Sequence, residues 1–286
     1  MKVFITGGSG YIGQATIKAL LREGHGVTAL ARSESSTQAV AAIGATAVNG
    51  GLTDLEVLER SAREADAVIH LAQQRGPESG EIDRAAADAL QAGVGSRPYI
   101  HTGGLWIYGN TDGMIDEDAP FAPPPIVAWR IENEARVLAH VQQGRHPMIV
   151  MPGVVYGDSQ GLIENLMLAP AHESGSVAYI GDGAQRWPLV HVLDVAELYL
   201  RALEAPAGTR WAGVSSSECT MRQIAEAVSH PAGVPGKTRA VTLEEARETM
   251  GGVADAFALD QQISGERARH QLGWRPAYLR PLDELR

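Results

Sequence analysis

Short apolar runs recur along the first half of the chain, each followed by a stretch with helical spacing. "KVFIT" (Lys2 to Thr6) is one such run, and Tyr11 to Glu23 after it repeats its apolar residues at helical intervals. "GVTALA" is the second run, with a helical stretch in "SSTQAVAAIG", and "ATAVNG", "AVIHLA", "YIHTG" and "HPMIVMPG" continue the series. These runs are continuous rather than alternating, so their side chains must be buried on both faces. That pattern belongs to a parallel sheet wrapped on both sides by helices. The expected fold class is therefore α/β, a doubly wound parallel sheet. Beyond Pro152 the elements mix less regularly, in "SVAYIGDG", "DVAELYLRALE", "MRQIAEAVS" and "LEEARETMG". A smaller mixed C-terminal lobe over residues 156–286 is expected, with residues 1–155 and part of 187–205 forming the first domain. The acidic, proline-rich stretch "NTDGMIDEDAPFAPPP" reads as a rim above the strand ends.

Composition narrows the partners. The chain has 286 residues, 44% of them apolar, and a net charge of -10, with a pI near 5.4. Such an acidic balance argues against nucleic acid and against an anionic membrane surface. No apolar run approaches the ~18 residues of a membrane span, and the apolar part of "MKVFITGGSG" is too short for a secretion signal. A cytoplasmic protein with a small-molecule substrate is the expectation, and a homodimer is left open. The single cysteine, Cys219, excludes an internal disulfide. No metal is expected, because the nine histidines show no metal-ligand spacing along the chain.

The first candidate chemistry lies in "ITGGSGYIG", where Gly7, Gly10 and Gly13 stand between a strand and a helix. Glycines at this spacing let the backbone approach a pyrophosphate, which the helix N-terminus favours through its free N–H groups and dipole. The first domain thus reads as a Rossmann-type dinucleotide-binding unit. Its second strand ends "ALARSES", with Ala31 where an acidic residue would bind a ribose 2′-hydroxyl, followed by Arg32 and Ser33. An arginine beside a hydroxyl suits a 2′-phosphate, so NADP(H) is expected over NAD(H). An ordinary solvated arginine is the alternative for Arg32.

Taken together, "TGGSGYIG", "AVIHLA", "HTGGLWIYG", "PGVVYG", "WPLVHVLDVAE" and "LGWRP" make the chain resemble the short-chain dehydrogenase/reductase superfamily, within it the NAD-dependent epimerase/dehydratase (extended or atypical) branch. The resemblance implies further cofactor contacts at Tyr11, Ile12, Leu71, Ala72, Thr102, Asn133 and Pro152. It also implies a catalytic Ser or Thr, a Tyr and a Lys. In this chain the Ser/Thr place falls on Gly104, with Thr102 two residues earlier, and the Tyr and Lys places fall on Trp129 and Asn133. The usual proton relay is thus missing at all three positions.

The helix "VAWRIENEARVLAH" carries two of those departures. Its spacing predicts Ile131, Ala135 and Leu138 facing the sheet, and Trp129, Asn133, Arg136 and His140 on the opposite stripe. Trp129 and Asn133 would look into one cleft, Asn133 toward a ribose hydroxyl and Trp129 toward substrate. Tryptophan donates an N–H but does not release a proton at useful pH. Candidate donors elsewhere are Tyr156, Tyr108 and His191, and Gly104, Trp106, Trp129, Tyr156 and Trp187 are candidate substrate contacts. His70 and His101, inside apolar strands, read as buried and hydrogen-bonded. Cys219, just before a predicted helix, reads as a packing residue.

The expected activity is an NADP(H)-dependent reductase of a small hydrophobic carbonyl, imine or activated alkene. An iminium ion arrives already protonated and needs only binding, orientation and hydride delivery. Two alternatives stand beside it: a non-catalytic NADP(H)-binding sensor or subunit, and an NAD-dependent sugar epimerase or dehydratase.

Overall fold

The computed structural model describes residues 1–286. Its strands are β1 (Lys2–Thr6), β2 (Gly26–Ala31), β3 (Thr46–Asn49), β4 (Ala67–His70), β5 (Pro98–Thr102), β6 (Met114–Ile115), β7 (His146–Pro152), β8 (Val154–Tyr156), β9 (Val177–Ile180), β10 (Leu189–His191), β11 (Arg210–Gly213), β12 (Thr238–Val241) and β13 (Gln262–Ile263). The first five helices are α1 (Tyr11–Arg22), α2 (Glu34–Ala42), α3 (Leu55–Arg63), α4 (Ser79–Val94) and α5 (Trp129–Ala139). Seven follow: α6 (Ala169–Ser174), α7 (Val192–Ala202), α8 (Met221–Val228), α9 (Leu243–Met250), α10 (Val253–Phe257), α11 (Glu266–Leu272) and α12 (Pro281–Glu284). None of these helices is long and apolar enough to cross a membrane.

Seven strands form one sheet in the order β11-β7-β5-β4-β1-β2-β3, and every pair in it is parallel. The fold is a Rossmann-type α/β sheet. Alternation along β1 shows why its strands read as solid apolar runs. Val3 and Ile5 enter a core on one face, beneath α1 and α7, while Phe4 enters a core on the other, beneath α3 and α4. The strand order reverses between β1 and β4, so a crevice opens at the C-terminal ends of those strands.

The C-terminal part of the chain contributes to both lobes. β11 is the edge strand of the large sheet, and Trp211, Ala268 and Trp274 pack into the core under α1 and α7. Asp194 secures this return. Its side chain accepts the backbone N–H groups of Ala277 at 2.8 Å and Tyr278 at 3.0 Å, and its carbonyl accepts the Trp274 indole N–H at 2.8 Å. A separate core under β8, β9 and α8 includes Tyr156, Trp187 and Phe257, the last two rings meeting edge to face at 4.7 Å.

Two close fits in this architecture have measurable consequences. Helices α3 and α4 meet at Gly93, where an added Cβ would stand 2.1 Å from the Glu59 carbonyl oxygen and 2.8 Å from the Ala62 methyl. Gly93→Ala is therefore expected to force the helices apart and lower stability by about 1–3 kcal/mol, read from urea unfolding. On α5, Glu134 is 1% exposed and neither carboxylate oxygen has a hydrogen-bond partner. Burial lifts its carboxyl to about 7, against the opposing pull of Arg130 and Arg210. In the unfolded chain a glutamate titrates near ~4.3. As pH rises from that value to about 7, the unfolded chain releases the proton while the folded one keeps it, so stability falls across this window and levels above it. The total is about 4 kcal/mol at 1.36 kcal/mol per pH unit. Glu134→Gln is expected to abolish this slope, as followed by urea midpoints between about pH 4 and pH 8.

Candidate active site

The crevice at the strand ends is a cleft of about 1200 Å³. Tyr11, Ile12 and Leu71 line one end of it, Thr102 to Trp106 and Pro152 to Val155 the middle, and Trp129, Arg130 and Asn133 one side. Leu162, Leu166, Met250 and Val253 add apolar surface from the C-terminal lobe.

The glycine loop packs against β4 as closely as backbone allows. Gly7 has φ +75°, and a Cβ there would lie 2.7 Å from the Ala72 nitrogen; at Gly13 a Cβ would lie 2.1 Å from the Gly7 carbonyl oxygen. These two glycines are required by the fold itself. Gly10 is different, because its only close neighbour would be the Gly7 oxygen at 3.2 Å. It opens α1 without any capping side chain, which leaves the first amides of the helix for an anion. Tyr11 ties the loop to the far side of the cleft by donating to the Gly157 carbonyl at 2.7 Å. This cradle fits a dinucleotide pyrophosphate.

At the end of β2, Ala31 is buried and Arg32 and Ser33 are exposed. Arg32 forms no ion pair within the protein. Ser33 caps α2, its hydroxyl accepting the Ser36 N–H at 3.2 Å. Part of its hydrogen-bonding capacity is thus used locally.

The sequence placed Trp129 and Asn133 together, and both do line the cleft. The inward face of α5 differs from the expected apolar one. Asn133, Glu134 and Val137 are buried, Ile131 and Leu138 are half-buried, and Ala135 is exposed. The helix rests on α4 and on Gly103, and polar atoms there draw polar residues inward. The Asn133 amide nitrogen donates to the Gly80 carbonyl at 2.8 Å and to Asp83 Oδ2 at 3.0 Å, leaving its own oxygen as an acceptor. Gly104 lines the cleft with extended backbone and open space before it. Thr102 stands beside it, its hydroxyl 2.8 Å from that of the buried Tyr199.

Tyr108, Tyr156, His191 and Trp187 lie outside the cleft lining, as do Gly7, Gly10, Gly13, Arg32, Ser33 and Ala72 of the expected cofactor contacts. Tyr108 is buried, with its hydroxyl donated to the Glu117 carbonyl at 3.0 Å. Tyr156 points into the C-terminal core and donates to the Tyr278 carbonyl at 3.2 Å. Burial raises the pKa of both phenols above the ordinary value. His191 stacks on Tyr278 at 3.7 Å and caps α7 by accepting the Leu193 N–H at 3.2 Å; burial lowers its pKa. Trp187 donates its indole N–H to the Phe257 carbonyl at 3.2 Å. Tyr156 and His191 are register partners on the paired strands β8 and β10, and their rings meet edge to face at 5.2 Å. Cys219 is buried and its thiol is pushed up by that burial, which does not favour the thiolate.

Three residues at or behind the cleft went unread in the sequence. Arg130 donates to the Thr102 carbonyl at 3.1 Å and to Gln73 Oε1 at 2.8 Å, so its guanidinium bridges the ends of β4 and β5. Asp83, on α4, reaches under Asn133 toward His70 and His101, whose Nε2 atoms lie 3.6 Å from its oxygens. Glu134 abuts Gly103, where a Cβ would lie 2.7 Å from its Oε1. Arg130 was signalled only by adjacency to Trp129. Asp83 carried no local signal, since one acid in a helix of ordinary composition looks solvated.

The comparisons with known proteins agree with this architecture. The model of the NAD dependent epimerase/dehydratase family matches residues 3–212. An uncharacterized protein of Saccharomyces cerevisiae is 30% identical over 302 residues, covering 100% of this chain and 98% of the yeast protein. A 4-hydroxy-2-methyl-3-oxo-4-farnesyl-3,4-dihydroquinoline-1-oxide ketoreductase of Stigmatella aurantiaca is 26% identical, over 86% of this chain and 78% of its own. Among solved structures, a dTDP-glucose 4,6-dehydratase of Streptomyces venezuelae with NAD bound superposes with TM-score 0.82 at 23% identity, covering 100% of this chain and 94% of that one. A human epimerase family protein with NADPH gives TM-score 0.79 at 20% identity, with 100% and 98% covered. The likenesses to these two structures show the fold. With the match to the family model spanning most of its length, the chain belongs to the NAD dependent epimerase/dehydratase family.

Proposed function

We propose that the chain is an NADP(H)-dependent reductase of a small hydrophobic carbonyl, imine or activated alkene, working without the Ser–Tyr–Lys group. The observation that carries this reading is the cleft itself. Tyr11 and Ile12, which follow the glycine loop, line one end of it and Trp106 and Trp129 stand among its apolar walls, while Trp129 and Asn133 occupy the wall where a tyrosine and a lysine are expected. The ketoreductase named among the relatives supports a carbonyl substrate.

In this reading the dinucleotide, when bound, would supply hydride, and the residues of the chain bind and orient the reactants. The first amides of α1 hold the pyrophosphate. Arg32 faces the 2′-phosphate, which a guanidinium recognises by charge-assisted hydrogen bonds. The Asn133 oxygen accepts a ribose hydroxyl. Trp106 and Trp129 wall the substrate, and Arg130 places a positive charge beside the reacting centre. Thr102 presents a hydroxyl to a substrate oxygen. Behind it, Tyr199 is held well above the ordinary phenol range by burial, so it keeps its proton and supports the hydrogen bond without ionising. A carbonyl then takes its proton from water, and an iminium needs none.

Arg32→Ala is expected to weaken NADPH binding about 10–100-fold, leaving NADH binding nearly unchanged. Fluorescence titration of both cofactors checks this, and equal affinities for NADPH and NADH in the unmodified protein would refute the cofactor assignment. Gly10→Val is expected to fold and to lose dinucleotide binding, because the new side chain fills the cradle. Activity is tested by NADPH oxidation with a panel of aldehydes, ketones, imines and enones. Turnover on one class is expected, with Trp129→Phe raising KM and Tyr156→Phe leaving kcat unchanged. Cofactor binding with no turnover on any class would instead identify a non-catalytic NADP(H) binder.

A further inference from the structure

Behind Asn133, one layer from the cleft, three side chains that the proposed reduction does not use converge in the dry interior. His70 ends β4, His101 is its register partner on β5, and Asp83 reaches both from α4. They are 1%, 1% and 5% exposed. One ring nitrogen of each histidine is anchored: His70 Nδ1 lies 2.6 Å from Thr6 Oγ1, and His101 Nδ1 lies 3.1 Å from the Tyr99 hydroxyl. The other ring nitrogen of each, Nε2, has no hydrogen-bond partner and lies 3.6 Å from an Asp83 oxygen.

A separation of 3.6 Å is too long for a hydrogen bond. It is close to the distance between two ligands of a single ion. Metal–ligand bonds of about 2.0–2.1 Å at tetrahedral to trigonal angles place donor atoms about 3.3–3.6 Å apart. All three donor atoms lie within 4.8 Å of one another. The charge balance points the same way. Asp83 accepts hydrogen bonds only from Asn133, and no lysine or arginine pairs with it. A buried carboxylate in that state is costly unless a cation compensates it.

We propose that His70, Asp83 and His101 bind a divalent transition-metal ion of the zinc class. Two imidazoles and one carboxylate form a mixed nitrogen and oxygen set, which suits zinc or cobalt over magnesium or calcium. Thr6 and Tyr99 serve as outer partners, each accepting an Nδ1–H and leaving Nε2 free to ligate. The ion ties α4 to the ends of β4 and β5. Because Asp83 also holds the Asn133 amide, the ion positions Asn133 against the cleft. The spacing of these ligands along the chain, at 70, 83 and 101, conceals the site, since adjacent parallel strands and the intervening helix bring them together.

The test is metal content rather than activity, so it stands apart from the reductase assignment. Protein produced in medium supplemented with zinc or cobalt is passed over a sizing column and analysed for bound metal. One equivalent per chain is expected, with the cobalt form showing visible d–d absorption that zinc displaces. Asp83→Asn and His101→Gln should each lose the metal and the absorption, and His270→Ala, at the exposed Glu266–His270 pair, should keep both. Unmodified protein that carries no metal after either supplementation overturns the proposal, whether or not the variants fold. A cobalt signal that survives both cluster substitutions, or disappears in His270→Ala, overturns it equally.

Discussion

A parallel strand buried on both faces has only its ends available for chemistry. In this chain the residues of β1 alternate between two cores, and the helices that cover those cores leave only end residues of the central strands, such as Thr102 and Pro152, open to a ligand. The cleft therefore lies at the C-terminal ends of β1, β4, β5 and β7, where the strand order reverses. The same constraint sets the close contact of Gly7 with the backbone at Ala72, because the loop leaving β1 must turn across the end of β4 to start α1. It also makes the C-terminal lobe necessary for a closed pocket, since the sheet supplies a floor and one wall but no roof.

Packing helices over strand ends creates a second problem, which is how to bury polar groups. Helix α5 meets it with a polar inner face. Asn133 bonds α4, Arg130 bridges the ends of β4 and β5, and Glu134 sits against Gly103. Here the energetic balance differs by residue. Asn133 has its donors satisfied, whereas the carboxylate oxygens of Glu134 accept no hydrogen bond and have only Arg210 Nε at 3.8 Å, and burial shifts its carboxyl toward the neutral form. The cluster around Asp83 belongs to the same layer. The wall formed by the Trp129 indole and the Asn133 amide is thus backed by the buried acidic side chains of Asp83 and Glu134.

Which part of the cleft can do chemistry depends on the side chains whose polar atoms reach it. Tyr108, Tyr156 and His191 each spend their polar atoms on the scaffold, holding the rim loop, the chain before α12 and the start of α7. Among the groups that line the pocket are an alcohol, a guanidinium, an amide oxygen and two indoles, from Thr102, Arg130, Asn133, Trp106 and Trp129. None of these releases a proton readily at neutral pH. This set suits orientation and electrostatic support of a reacting centre.

What the sequence determined by itself was the sheet, the glycine loop between β1 and α1, and the spacing that puts Trp129 and Asn133 one helical turn apart on α5. Each is encoded locally, in apolar runs of strand length, in glycines between a strand and a helix, and in motif positions a few residues apart. The tertiary structure decided which side chains share a space. Tyr156 stands beside Val155, which lines the cleft, yet faces the opposite core, because strand side chains alternate. Ala135 faces water, although the apolar spacing of α5 pointed it inward, because the surface beneath that helix is polar. Asp83 meets His70 and His101 only because β4 and β5 are neighbours in the sheet and α4 crosses between them. Contacts between distant residues depend on strand order and helix rotation, and neither quantity is written in a local stretch of sequence.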